Sequence, residues 1–377
     1  MQLTAWILLL LPFAVFLGYP ALVIGVAALR PRRAARPLAA LPSATILICA
    51  HNEAGMIAEK LASVRAAIAA WPGQIELLVA DDGSADDTAM LAEQAGARVL
   101  RLPRGGKAAA LNQAIPQALG DILVMTDADP LFDAETLPAL LAPFADPRIG
   151  AVAGRVETLT TRPGRFAAAD RWFRQYESAL RSAEDALFGC VSADGGVYAI
   201  RRALAPQVPT DVTDDFFIST AAVAARYRIA FADKARVWEH SIPGGRQQFR
   251  RRIRITVRGL TALWRRRALM NPLRTGWYAP ALLFHKVARR LAPLTLLPLW
   301  AISGLLALRS DMFWALVCAG ITAAVLIALA GAAGLRLRGP LKLVHGVMLH
   351  LAGLALGTLF FAAGRRYAQW TPQRQGA

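Results

Sequence analysis

The sequence predicts an α/β domain built on a mostly parallel sheet and joined to transmembrane α-helices. Two observations predict it. Four stretches carry no formally charged side chain, and each has about the length needed to cross a bilayer. Between the first and the second, short β-branched or Leu-rich runs alternate with Ala-rich stretches of helical length, the pattern of βαβ units around a parallel sheet.

The apolar stretches are Leu3–Leu29, Leu291–Leu308, Met312–Leu335 and Leu343–Gly364. The first differs from a cleaved secretion signal: no basic residue precedes its apolar run, whereas Arg30, Arg32, Arg33 and Arg36 follow it. Arginines on that flank hold it to the cytoplasmic side. Residues 31–290 are therefore expected in the cytoplasm, at the inner (plasma) membrane, and Arg336, Arg338 and Lys342 agree with a second return to that side. Arg365 and Arg366 disagree, because strict alternation puts them outside; one of the last segments is then re-entrant or interfacial. The expected layout is a transmembrane helix over 1–30 and a cytoplasmic domain over 38–245. Amphipathic interfacial helices over 246–290, transmembrane segments over 291–364 and a tail over 365–377 complete it.

A net charge of +17 invites a nucleic-acid reading. Its distribution argues against one. Of the 43 basic residues, 22 fall in five acid-free runs beside the apolar stretches, and the rest of the chain holds 21 basic against 26 acidic residues. The positive excess is placed for anionic lipid headgroups, and no nucleic-acid partner is expected. A hydrophobic share of 55% excludes disorder. Cys49, Cys190 and Cys318 are too few and too scattered for a disulfide framework or a tetrahedral zinc site. The run Arg246–Arg267 holds nine Arg and no acid, with Phe249, Ile253, Val257, Leu260 and Trp264 near helical spacing. One apolar and one basic face describe an in-plane interfacial helix.

In parallel sheets the chemistry lies at the C-terminal ends of strands. The runs Thr45–Ile48, Ile75–Val79 and Ile122–Met125 lead into Ala50-His51-Asn52-Glu53, Asp81-Asp82-Gly83-Ser84 and Asp127-Ala128-Asp129. The second cluster alone also fits a turn and helix N-cap. The third is more pointed. Asp127 and Asp129 share one face of an extended segment, and carboxylates that close raise each other's pKa unless a cation neutralises them. A hard divalent cation with positions open to phosphate oxygens fits such a pair. The chain has no Gly-x-x-x-x-Gly-Lys-[Ser/Thr] loop, which excludes a P-loop NTPase, but Gly105-Gly106-Lys107 opens a helix and offers a phosphate contact. Thr213-Asp214-Asp215 suits a helix start with acids in the first turn.

These motifs, in this order and with Ala110-Leu111-Asn112 after Lys107, resemble the family 2 inverting glycosyltransferases, in particular the membrane-embedded synthase branch that includes hyaluronan, chitin, cellulose and poly-N-acetylglucosamine synthases. The resemblance spans roughly residues 40–270 together with the membrane layout. It implies a nucleotide-sugar domain of the GT-A type. Glu53 and Asp82 would then contact the base and ribose, Asp81 would support their loop, and Lys107 would lie near the diphosphate. Asp127 and Asp129 match the metal-binding Asp-x-Asp, with Asp129 the direct ligand of Mg²⁺ or Mn²⁺. Asp194 falls on the acceptor side. Asp215 takes the place of the catalytic base, with Asp214 standing for the Glu before it. Gln247-Gln248-Phe249-Arg250 matches the first four positions of the Gln-x-x-Arg-Trp motif that closes over the donor, making Gln247 and Arg250 gating residues. The fifth position is Arg251, not Trp, and with it goes an aromatic platform for the acceptor sugar.

The chemistry asks for these residue types. Displacement at an anomeric carbon leaves charge on the departing nucleoside diphosphate, which a cation and a lysine stabilise. The acceptor hydroxyl loses its proton to a carboxylate that must be ionised at neutral pH. The expected function is inverting sugar transfer from a UDP-sugar to a glycan or lipid-linked acceptor at the bilayer, polysaccharide synthesis included. The alternatives are a non-processive lipid glycosyltransferase and, from another class, a catalytically silent membrane scaffold.

Overall fold

The computed structural model describes residues 1–30, 41–159, 165–240 and 245–367. Arg32, Arg33 and Arg36, on which the expected orientation rests, and most of the expected tail lie outside them. The chain divides into two compact units: Met1–Leu22 with Pro243–Trp264 and Pro280–Tyr367, and Val23–Ile242 with Arg265–Ala279.

The longer helices are α1 (Gln2–Ala28), α2 (Ala54–Ala69), α3 (Thr88–Gln94), α4 (Lys107–Ala114), α5 (Thr136–Leu141), α6 (Arg165–Leu187), α7 (Asp214–Ala224), α8 (Gly245–Arg265), α9 (Tyr278–Ala307), α10 (Met312–Ala332) and α11 (Gly339–Ala362). The strands are β1 (Ala44–Ala50), β2 (Ile75–Asp82), β3 (Arg98–Leu102), β4 (Ile122–Thr126), β5 (Leu131–Phe132), β6 (Ile149–Leu159), β7 (Tyr198–Arg201) and β8 (Arg228–His240).

All eight strands form one sheet in the order β3-β2-β1-β4-β7-β6-β8-β5. The half from β3 to β4 is parallel, as the alternation of runs and helices predicts. Beyond β4 the sheet is mixed: β7 is antiparallel to β4 and β6, β5 is antiparallel to β8, and β6 and β8 are parallel. All seven residues of β1 are buried, which explains its unbroken apolar run: a central strand covered on both faces shows no alternation. On α2, Ile57, Leu61, Val64 and Ala67 point into the main core, and Lys60 shares that buried stripe.

In the other unit, α1, α9, α10 and α11 are long and apolar enough to cross a membrane by length and composition. The second of these begins at Tyr278, earlier than its uncharged core at Leu291, and so takes in Lys286, Arg289 and Arg290. Gly259 of α8 makes room for one of them: a Cβ there would lie 2.7 Å from an Arg290 guanidinium nitrogen. Two small residues seat α11 on α8. A Cβ on Gly357 would meet the Thr256 Cβ at 2.6 Å, and one on Gly353 would meet Arg252 Cγ at 2.9 Å. Trp264, read as part of the apolar face of α8, is 60% exposed.

Candidate active site

β1, β2 and β4 run parallel and adjacent, so their C-terminal ends open on one edge of the sheet. After β1 the chain turns at Asn52, whose φ of 54° lies in the left-handed region that Asn tolerates. Hydrogen bonds fasten this turn to the loop after β2. The Asn52 N–H donates to Ser84 Oγ (2.9 Å), the Ala85 N–H donates to Asn52 Oδ1 (2.8 Å), and the Glu53 N–H donates to Thr88 Oγ1 (2.8 Å). Glu53 is thereby set at the start of α2. Burial, then the negative charges of Asp129 and Asp127, push its carboxyl up to about 7.

Asp81 and Asp82 are 4% and 1% exposed at the end of β2. Asp81 accepts from the Ser84 hydroxyl and, at 3.3 Å, from the Ser84 N–H. The Asp82 carboxylate is taken up by the glycine loop: the N–H groups of Gly105 (2.7 Å) and Gly106 (2.9 Å) donate to it, and Arg104 pairs with it. Gly83 permits this approach, because it has a φ of 66° and a Cβ there would lie 2.8 Å from the Arg104 nitrogen. Asp82 thus holds the loop that opens α4.

α4 begins at Lys107, whose ammonium lies 2.5 Å from Asp127 Oδ1 and 2.6 Å from Asp214 Oδ2. Burial disfavours its charge, but the two carboxylates prevail and hold it well above the ordinary lysine range. Asp214 and Asp215 stand in the first turn of α7, with the Phe216 N–H donating to Asp215 Oδ1 (2.7 Å). Gly195 comes between the two sides of the site, where a Cβ would lie 3.2 Å from Asp127 Oδ2 and 3.9 Å from Asp215 Oδ2. Glycine there leaves open the space that both carboxylates border. A cavity of about 10 Å³, roughly one water, is lined by Lys107, Asp214, Cys49, Thr126 and the buried Tyr198.

Asp215, the expected base, is half-buried in the first turn of α7. Burial, then Asp214 and Asp194, push its carboxyl up to about 7, and Lys107 and the Phe216 N–H only partly oppose them. Asp194 is held by Arg181 of α6 at 2.6 Å, a guanidinium whose side chain is 7% exposed. Gln247 and Arg250 lie on α8 in the other unit; Arg250 is exposed and the Gln247 side chain lies outside the described residues.

Among the described residues, no three His, Cys, Asp or Glu side chains surround one point as a complete cation cage. Asp127 and Asp129 remain partly exposed, and with Glu53 they concentrate negative charge that raises the Glu53 carboxyl. That donor set fits an open site, in which two carboxylates hold a hard cation and phosphate oxygens complete its shell.

Sequence reading missed Arg104, Arg181, Gly195 and Lys60. Lys60 left a signal, a charged residue on the apolar stripe of α2, whereas the partners of Arg104 and Arg181 are set only by the fold.

A half-parallel sheet with carboxylates at adjacent strand ends and a glycine loop opening a helix defines a glycosyltransferase domain of the GT-A type. Residues 45–202 match the family described as Glycosyl transferase family 2. The chain belongs to that family. It is 34% identical over 198 residues to a beta-monoglucosyldiacylglycerol synthase of Trichormus variabilis, covering 48% of this chain and 42% of that protein. It is 32% identical over 123 residues to an N-acetylglucosaminyltransferase of Rhizobium leguminosarum bv. trifolii, covering 31% and 68%. The chain thus spans less than half the length of the first relative. Among solved structures, a mannosyltransferase of Pyrobaculum calidifontis in complex with GDP-Man and Mn²⁺ superimposes with a TM-score of 0.69 over 96% of this chain and 99% of that one. At 24% identity this likeness concerns the fold.

Proposed function

We propose that this chain is a multi-pass inner-membrane glycosyltransferase that moves a sugar, with inversion, from a nucleoside-diphosphate sugar to a lipid-linked or glycan acceptor, the site facing the cytoplasm. The observation that carries the reading is the meeting of Lys107, at the start of α4, with Asp127, just after β4, and Asp214, at the start of α7, beside Asp215. UDP is the donor nucleotide expected from the synthase resemblance, and the glycosyltransferases to which the chain is similar support sugar transfer as the reaction class.

In this reading Glu53, Asp81 and Asp82 form the nucleotide end of the site, Asp82 acting through the glycine loop that it fastens. Lys107 presents its charge to the diphosphate. Asp127 and Asp129 would hold Mg²⁺ or Mn²⁺, which supplies stabilisation of the charge growing on the departing group. Asp215 accepts the proton of the attacking hydroxyl, and Asp214 keeps Lys107 in place. Arg181 aims Asp194 at the acceptor side, and Gln247 and Arg250 keep the gating role that the resemblance implies.

A single transfer to a lipid is favoured over polymerisation by one residue. Arg251 stands where the processive synthases carry an acceptor-stacking Trp. Similarity to a glucosyldiacylglycerol synthase points the same way. Turnover of the purified protein against a panel of nucleotide sugars, with diacylglycerol and oligosaccharide acceptors and products sized by mass spectrometry, tests this reading. One added hexose on lipid is expected. A ladder of products supports polymerisation instead, and no transfer to any acceptor rejects the reading.

A further inference from the structure

Lys60 is fully buried, and burial pulls its amine down to about 7 against the opposing charges of Asp129, Asp127 and Glu239. An ammonium carried that deep into a core is costly unless its donors are used. All of them point at one short segment. Nζ donates to Thr126 Oγ1 at 2.8 Å and to the Pro130 carbonyl, and lies 4.4 Å from the Phe132 ring centre. Thr126 and Pro130 bracket Asp127-Ala128-Asp129, so a single amino group ties both ends of that turn to α2.

The link continues in two directions. Thr126 Oγ1, accepting from Lys60, donates to the Gly196 carbonyl at 2.7 Å, next to the Gly195 that separates Asp127 from Asp215. One turn further along α2, Ser63 Oγ accepts from the Phe132 N–H at 3.1 Å and donates to the Lys60 carbonyl at 2.7 Å. α2 also begins at Glu53, the nucleotide end of the site.

We propose that Lys60 is a positioning residue: it fixes the Asp127–Asp129 turn in the geometry that receives a cation and joins that turn to the Gly195-Gly196 turn on the acceptor side. The proposal rests on the reading of Asp127 and Asp129 as cation ligands. Nothing in it requires Lys60 to touch substrate. A purely structural lysine would affect only folding stability. A positioning lysine affects cation affinity in protein that is still folded, and groups behind a ligand shell commonly change affinity roughly 10–100-fold.

The test is Mn²⁺ binding, followed by the electron paramagnetic resonance signal of free Mn²⁺, with and without UDP, on the full chain in detergent. Melting is measured in parallel. The variants are Lys60→Met, which keeps length and loses every donor; Lys60→Gln, which keeps one donor; and Thr126→Val, which cuts the Thr126 link from the other side. Asp129→Ala serves as the control for the site itself. Mn²⁺ affinity is expected to fall at least tenfold in Lys60→Met. A smaller loss is expected in Lys60→Gln and in Thr126→Val, each well below its melting temperature. Affinity within twofold of wild type in any of the three, once folded, overturns the role of Lys60, provided Asp129→Ala has lost binding. If Asp129→Ala binds Mn²⁺ like wild type, the cation-site reading itself has failed and the proposal falls with it. Should Lys60→Met not fold, Thr126→Val decides, because it retains the Lys60 amino group.

Discussion

The Lys107 ammonium lies 2.6 Å from Asp214 Oδ2, and this ion pair separates the roles of two carboxylates adjacent in sequence. Asp214 is bound to a cation. Asp215, beside it, carries a carboxyl pushed up to about 7 by burial and by the charge of Asp214. A base with its pKa near working pH is well matched to taking a proton from a hydroxyl.

The pH profile follows directly. Below about 7 Asp215 is largely protonated and cannot accept a proton, so kcat should rise with pH through that value. Asp214→Asn removes a charge that raises Asp215, so the rising limb should move to lower pH. A limb that stays in place in that variant would show that the observed titration belongs to another group.

Replacing Asp215, the proposed base, should damage the chemical step without harming donor binding. Asp215→Asn is expected to lower kcat about 10²–10⁴-fold. UDP affinity by calorimetry should change little, since the base acts on the acceptor in the transition state. If Asp215→Asn turns over within a few-fold of wild type while Asp214→Asn is dead, the two roles are exchanged.

Lys107 should matter more in the transition state than in the ground state. Lys107→Met removes the cation proposed to face the diphosphate and leaves Asp127 and Asp214 without their common partner. A loss of roughly 10²–10³ in kcat is expected, the range for removing one preorganised stabilising donor. Parallel measurement of KM for the donor tests this; a large rise in KM with kcat intact would assign Lys107 to binding alone.

Gly195→Ala places a methyl 3.2 Å from Asp127 Oδ2 in the space that this carboxylate borders with Asp215. Activity should fall by tenfold or more while the melting temperature stays within a few degrees. In the other unit, Gly357→Leu drives a side chain into Thr256, where even a Cβ would approach to 2.6 Å. Overpacking of that kind costs about 1–3 kcal/mol, so thermal stability in detergent should drop.

Orientation is open to a direct chemical test. A cysteine introduced at Ser84, between β2 and α3, should resist membrane-impermeant maleimide in intact cells and react after permeabilisation. Labelling of intact cells would place the site on the outer side.

Much of this was legible in the chain. β1 and β4 show as continuous apolar runs because central strands are covered on both faces, and the polar clusters that end them lie together at one edge of the sheet. The start of α7 was legible in Thr213-Asp214-Asp215. What escaped depends on long-range geometry. Asp82 reads as a nucleotide contact, yet its carboxylate turns to the Gly105 and Gly106 amides, a partnership that local pattern does not disclose. The upward push on the Asp215 carboxyl comes first from burial, which the packing of the folded domain sets and the local sequence does not show. The start of α9 was missed because Lys286, Arg289 and Arg290 interrupt the apolar signal, while the helix continues through them.

The strand order has a consequence for the birth of the protein. β1 through β4 are contiguous in the chain and form a parallel half-sheet that ends on β4. The strand that covers β4, beginning at Tyr198, and the helix that brings Asp215 are synthesised later. At about 5–20 residues per second the ribosome takes roughly 4–15 s to make the intervening chain. For that interval the edge Ile122-Leu123-Val124-Met125, buried in the finished protein, lacks its partner strand, and such edges are sites of aggregation. A transcript truncated between β4 and β7 would yield a half-sheet with an uncapped apolar edge and without Asp215, a fragment for quality control to remove.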